Sequence, residues 1–198
     1  MKIELSKHAP GLCAIYGHLL NLDKSLDAIF LSWAHQFKAL EYSFPQFLAV
    51  KHLDRLQYFT SFPHLATFAV TLDRDEDELT RFSHEHKVLE NGSLELPKIQ
   101  PSTHVITPAA CYHAYVEFEG QQFDQPKIIT TRGVCCRCED HYVSLERQWT
   151  FSMREIICIG TPEEVHNFLN NANLYEVSFM TKEPKKRGFF EKLFHFFR

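Results

Sequence analysis

Four ionisable side chains in this 198-residue chain stand where a site for a charged small molecule would want them: Arg137, Glu139, Arg147 and Glu155. All lie in Arg132 to Val165, RGVCCRCEDHYVSLERQWTFSMREIICIGTPEEV, which reads as strand, loop, strand and capped helix. Val134 to Glu139 and Thr150 to Ile159 are rich enough in β-branched and aromatic residues to pair as an antiparallel hairpin. The link DHYVSLERQ is too long for a tight turn and predicts an open loop. Arg137 and Glu139, two apart, share one strand face. Glu155 shares a face with Phe151, Met153, Ile157 and Ile159, whereas Arg154, Ile156 and Cys158 face the other way. A carboxylate among apolar side chains needs a cation, a metal or several donors. After Gly160, Thr161 fits a helix N-cap, Pro162 the first helical position and Glu164 the acid of a capping box.

The elements that must position these groups are less sharply written. Ser25 to Tyr42 predicts a helix with Leu26, Ile29, Phe30, Trp33, Phe37 and Leu40 on one stripe, Ser25 as N-cap, and an end before Phe44-Pro45. The acidic run DRDEDE, Asp73 to Glu78, predicts a helix N-terminus continuing through Leu79, Phe82, His86 and Leu89 and closed by Asn91-Gly92. His84 and His86 are two apart, which on a helix splays them too far to share a metal. Thr103 to Phe118 suggests strands broken by Pro108. Cys111 within it is read either as a buried small hydrophobe or as a ligand. Cys135, Cys136 and Cys138 lack a CxxC step and are read as strand cysteines filling small volumes, with a metal or redox role as the rival.

Composition sets bounds. A hydrophobic share of 44% and a charged share of 23% suit one globular domain with a proper core. A net charge of −4 argues against a general nucleic-acid-binding surface. The start MKIELSKHAPG has neither a basic beginning nor a long apolar core, so no signal peptide is expected. Six cysteines without framework spacing are then expected to be reduced, and the cytoplasm is the expected compartment. Residues 182–198 differ in kind: six Lys and Arg against two Glu, with Phe189, Phe190, Leu193, Phe194 and Phe197 on one helical face. Such a basic amphipathic tail fits an anionic membrane surface, a partner, or this protein's own core.

The CRCE…LERQ…FSMREIICIGTPEEV stretch resembles motif 2 of class II aminoacyl-tRNA synthetases and, more closely, is similar to the seryl-tRNA-synthetase-like amino acid:carrier-protein ligases. HLDRLQYFTSFPHL is similar to a helix in that family leading into a Ser-Phe-Pro turn. The helix before Pro45 resembles motif 1, whose proline marks a dimer interface, and ITPAACY resembles the segment carrying a zinc-ligand cysteine. The resemblance implies an α/β (α+β) fold over residues 1–181, an antiparallel sheet flanked by helices and shortened at its C-terminal end, with 182–198 as a tail. It implies ATP with Mg2+, held by Arg137 at the α-phosphate, Glu139 at the adenine or substrate amine, and Arg147 at the outer phosphates. It implies Zn2+ on Cys111 and Glu155, a homodimer through Pro45, and a phosphopantetheinyl carrier protein rather than tRNA as acceptor. The activity implied is adenylation of a small amino acid and its transfer to that carrier. The chain departs from the pattern in three ways. The third zinc ligand and motif 3 are missing, and Ser152 stands where relatives carry an arginine. The alternative is therefore a catalytically inactive relative acting as a binding or regulatory subunit.

Overall fold

A computed structural model describes residues 4–180, so the basic tail 182–198 lies outside the described residues. The chain divides into two compact units: Met1–Gln121 with Ile129–Ile157, and Gln122–Ile128 with Cys158–Arg198. The first begins with a hairpin, β1 (Leu5–Ala9) and β2 (Leu12–Ile15), followed by the long helix α1 (Gly17–Gln36). Short strands β3 (Leu40–Tyr42) and β4 (Phe47–Ala49) lead to helices α2 (Val50–Arg55) and α3 (Tyr58–Ser61) and a 3-10 turn, Pro63–Leu65. Next come β5 (Thr67–Ala69), α4 (Glu76–Glu85), β6 (His104–Ile106), α5 (Tyr112–Glu117), β7 (Lys127–Cys136), β8 (Thr150–Ile159) and α6 (Pro162–Met180).

Two three-stranded sheets hold the site. One has the order β3-β7-β8 and the other β4-β6-β5. In the second, β6 is antiparallel to both neighbours, Val105 pairing with Leu48 and Phe68. In the first, β3 runs parallel to β7. The Arg137 amide bonds the Trp149 carbonyl and the Thr130 hydroxyl bonds the Glu155 carbonyl, so β7 and β8 run in opposite directions, as a hairpin must. Leu48, Leu53, Tyr58, Leu65 and Val105 form a buried core cluster beside the second sheet. Among the described residues no helix is long and apolar enough to cross a membrane.

Several expectations are corrected. The first long helix starts at Gly17, not Ser25, because the Glu4 carboxylate accepts from the His18 amide at its N-terminus and caps it from outside the local sequence. Ser25 instead lies inside the helix, its hydroxyl bonded back to the Asn21 carbonyl at 2.8 Å. The helix ends at Gln36, and Lys38 takes a left-handed φ of 56°, releasing Leu40–Tyr42 to pair with β7. Tyr112–Glu117 is helical rather than extended. Asn91-Gly92 is a turn joining Val88 to Leu94, beyond a helix that already ends at Glu85. The predicted first strand of the hairpin begins seven residues earlier, at Lys127. Asp75 caps α4, its carboxylate accepting from the Glu78 amide, and the acids that follow fill the first turn. In the second unit the capping box is complete: the Thr161 amide bonds Glu164 at 2.7 Å, and the Glu164 amide returns to the Thr161 hydroxyl.

Alternation along β8 places Arg154 opposite Glu155. Arg154 is held by α1 and β3: its Nε reaches Asp27 at 2.5 Å and its Nη1 reaches Glu41 at 3.1 Å. Arg132 on β7 joins from the side, 2.6 Å from Asp23 and 3.4 Å from Asp27. The Arg154 side chain is only 6% exposed, so its charge depends on these acids. Hydrogen bonds from Arg154, then the charges of both arginines, hold the Asp27 carboxyl below the usual aspartate range. The stabilisation is therefore present above an ordinary aspartate pKa of about 4 and is lost as pH falls through the lower folded value. D27A is expected to cost about 2 kcal/mol at pH 7, below the full buried-pair figure because Asp23 and Glu41 remain. Urea unfolding of wild type and variant at pH 7 and at pH 3 checks this: the difference should shrink in acid, and an equal loss at both would contradict it.

Candidate functional site

The site is built where β7 leaves its sheet. The Cys136 amide bonds the Thr107 carbonyl, the Arg137 amide the Trp149 carbonyl and the Cys138 amide the Leu65 carbonyl, each at 2.9 to 3.0 Å. Three segments thus clamp Arg137 within three residues. Its Nε donates to the Pro108 carbonyl at 2.8 Å, and its guanidinium lies 5.2 Å over the Phe151 ring. After β6 the chain turns through Thr107, Pro108, Ala109 and Ala110, all buried, and delivers Cys111 to the start of α5. The Thr107 hydroxyl closes that turn on the Ala109 carbonyl at 2.6 Å.

Cys111 and Glu155, 44 positions apart, meet: the carboxyl faces both the thiol and the amide of Cys111. Burial pushes Glu155 above the usual carboxyl range, opposed by Cys111 and by the Arg137 charge. Burial, and then the Glu155 charge, drives the Cys111 thiol far up, so it is a thiol rather than a thiolate at neutral pH. Cys135 is pushed up to about 12 for the same two reasons in the same order. Glu155 Oε2 is buried and has no hydrogen-bond partner among the described residues. The Cys111 thiol and the Glu155 carboxyl are two donors of a zinc site, which needs three. Among the described residues no group of three His, Cys, Asp or Glu gathers there or elsewhere, so the described donors do not complete a zinc centre.

Arg147 and Glu139 are brought together with each other. Arg147 Nη1 is 3.1 Å from Glu139 and 3.6 Å from Asp140. The loop that carries them is more ordered than an open link: Val143 and Arg147 exchange both backbone hydrogen bonds, and Tyr142 stacks on Trp149 with ring centroids 6.3 Å apart. Trp149 is fixed in turn by its Nε1, which donates to the Thr67 hydroxyl at 3.0 Å, and by its amide on the Gly11 carbonyl. Gly11 has φ +72°, and a Cβ there would strike Tyr142 and Trp149, so the β1–β2 turn needs glycine. A cavity of about 600 Å³ opens between that turn and this loop, lined by Lys7, His8, His141 and Gln148 but by none of the five predicted residues. Pro45 follows β3, where Phe44 stacks on the His113 ring at 5.5 Å and that ring reaches the Pro45 carbonyl.

Sequence reasoning singled out neither Tyr58 nor Tyr112. Their rings meet edge to face at 5.6 Å, and both hydroxyls sense the Arg137 charge. Burial pushes the Tyr58 hydroxyl up to about 12, and it has no hydrogen-bond partner among the described residues. The only signal for it was a tyrosine in an otherwise apolar run. Sequence alone could not show that its hydroxyl is buried in the field of Arg137.

The burial of these thiols predicts their reactivity. Cys111 and Cys135 should resist iodoacetamide in the native protein at pH 8 and react once it is unfolded in urea, because only thiolate attacks. Peptide mapping by mass spectrometry reads the result, and native labelling of Cys111 at the rate of a free thiol would contradict the geometry.

No family model matches the chain. A curated relative is the amino acid–acyl-carrier-protein ligase 1 of Bradyrhizobium diazoefficiens, 30% identical over 131 residues, with 63% of this chain and 38% of that protein covered. The chain thus spans well under half the length of the curated relative it matches. Among solved structures, M. kandleri seryl-tRNA synthetase, determined in complex with A. aeolicus tRNASec, superposes with a TM-score of 0.71 at 20% identity, over 82% of this chain and 33% of that one. Giardia lamblia prolyl-tRNA synthetase, determined with prolyl-adenylate, gives 0.70 at 11% identity, over 91% of this chain and 33% of that one. The chain has the fold of the class II aminoacyl-tRNA synthetases, and in sequence it resembles the amino acid:carrier-protein ligases.

Proposed function

We propose that the chain provides the ATP- and amino-acid-binding part of an adenylate-forming ligase acting on a small amino acid, with a phosphopantetheinyl carrier protein as acceptor. The observation that carries this reading is the meeting of Cys111, Glu155 and Arg137 from three separate segments at one point, in a chain similar to a carrier-protein ligase. In the first step a substrate carboxylate oxygen attacks the α-phosphorus of ATP and pyrophosphate leaves. In the second, the carrier thiol attacks the aminoacyl carbonyl and AMP leaves. Arg137 is rigidly held and offers its guanidinium to the α-phosphate, where charge changes most. Arg147 reaches the outer phosphates by exchanging Glu139 for them, which frees Glu139 for the adenine or the amine. ATP brings its own Mg2+. No step is routed through zinc, since the described donors do not complete its site.

A second reading has its own support. The internal pairing of Glu139 with Arg147 and the two-donor set at Cys111 suit a subunit that binds a ligand without turning it over. Each missing stabilising group would cost on the order of a hundredfold in rate. A partner chain that supplies a further ligand and a phosphate clamp would restore activity. Dimerisation near Pro45 belongs to the same proposal.

Amino-acid-dependent ATP–pyrophosphate exchange tests it, with glycine, alanine and serine, with and without added zinc. Exchange lowered about a hundredfold or more by R137A is the expected outcome for a ligase. Absence of exchange with every amino acid, while ATP still binds, would reject autonomous activation and select the binding subunit.

A further inference from the structure

The β1–β2 hairpin is irregular at one place. Its pairing runs Lys7 with Cys13 and then Ala9 with Leu12, which leaves His8 as the extra residue of a bulge. Regular alternation would send Lys7 and His8 to opposite faces. With the bulge, both line the cavity of about 600 Å³ between the hairpin turn and the loop after β7, where His141, Tyr142 and Ser144 close the other side. The two walls are fastened together. The Gly11 carbonyl accepts from the Trp149 amide at 2.9 Å and from the Thr150 amide at 3.4 Å, and the Cys13 thiol lies 4.0 Å from the Ser144 hydroxyl. The lining is one-sided in charge: it holds a lysine and two histidines and no Asp or Glu, in a chain of net charge −4. Among the described residues Lys7 and His8 make no ion pair. His141 has its Nδ1 on Asp140 at 2.7 Å, which leaves Nε2 for a ligand. Asp140 also lies 3.6 Å from Arg147, which offsets its charge. Lys7, His8 and His141 are all exposed, so a solute reaches them directly from water.

We propose that this cavity binds a small organic phosphate monoester, with its phosphate on Lys7 and His8 and with His141 Nε2 and the Ser144 hydroxyl as further donors. A phosphate carries about two negative charges at neutral pH and three acceptor oxygens, so it gains from several donors where no carboxylate competes. The volume falls in the range of small-molecule sites and exceeds what bare phosphate fills, and Pro10 and Tyr142 add apolar wall for the organic part. Two sources share this chemistry: pantetheine 4′-phosphate and a nucleoside monophosphate. The assignment stands apart from the ATP reading, because none of Cys111, Arg137, Glu139, Arg147 or Glu155 lines the cavity.

Cys13, half-buried in the cavity wall, reports occupancy. The test is iodoacetamide labelling of the full chain at pH 8, with Cys158 as the internal reference, in the presence of pantetheine 4′-phosphate, AMP, pantetheine or adenosine. The expected result is that one of the two phosphates slows Cys13 labelling about tenfold near saturation, while the phosphate-free compounds do not. The phosphate that protects names the source. K7Q combined with H8Q, both at exposed positions, should abolish the protection, whereas R137A should keep it. Cys13 that fails to label in the free protein would show the cavity closed to small molecules and would overturn the assignment. So would labelling unchanged by either phosphate, or protection by pantetheine or adenosine equal to that by its phosphate. Protection that survives K7Q with H8Q but is lost in R137A would place the ligand at Arg137 and reject this cavity while leaving the ATP reading intact.

Discussion

The burial of one carboxyl, Glu155, against one thiol, Cys111, is the constraint on which the rest of this structure depends. A carboxyl in an apolar setting is costly, and a thiol is a poor partner for it, so the surroundings must be tightly organised for the pair to persist. That organisation comes from β8. Its two-residue period turns Glu155 toward Cys111 and, one step earlier, turns Arg154 toward Asp27 and Glu41. One strand carries two adjacent opposite charges to opposite faces. The cationic face is fully paired with acids of α1 and β3. The carboxyl face is not: one of its oxygens has no partner among the described residues.

This asymmetry separates holding from acting. The arginine–aspartate side fixes β8 against α1, with Thr130 bonded to the Glu155 carbonyl from the neighbouring strand. On the other side Arg137 is anchored by its amide, its Nε and the Phe151 ring, and Glu155 keeps one unsatisfied oxygen. Natural folds pair their buried polar atoms almost completely, so an unsatisfied carboxyl oxygen beside a buried thiol asks for a partner. Arg137, Phe151 and Glu155 fall in the part of the chain that resembles motif 2, within a fold shared with aminoacyl-tRNA synthetases.

The sequence was most legible where local chemistry decides structure. Thr150–Ile159 was readable to the residue, because alternation and β-branching extend over ten positions and Gly160 ends them. The capping box at Thr161 and Glu164 and the acidic start of α4 were readable for the same reason: each is satisfied by atoms within three residues. The start of α1 was not, because its cap is Glu4, delivered by the β1–β2 hairpin. Tyr112–Glu117 misled because its aromatic and β-branched residues favour strands, while burial of His113 and Ala114 is met by one helical turn. Of the site residues, Cys111 and Glu155 were proposed through resemblance, and no periodicity relates them. Tyr58 was hidden because a tyrosine in an apolar run reads as a ring, and only coordinates show where its hydroxyl ends. The basic tail 182–198 lies outside the described residues, so its three readings stand as they were.

The meeting of positions 111 and 155 is the central claim, and it can be read by covalent chemistry. In a chain carrying E155C, with C135S removing the competing thiol, mild oxidation should form a disulfide between Cys111 and the new thiol. A cross-linked peptide joining 111 to 155 would appear on mass-spectrometric mapping and vanish on reduction. Oxidation that leaves both thiols free, or joins either to a different cysteine, would place the two positions apart and contradict the account.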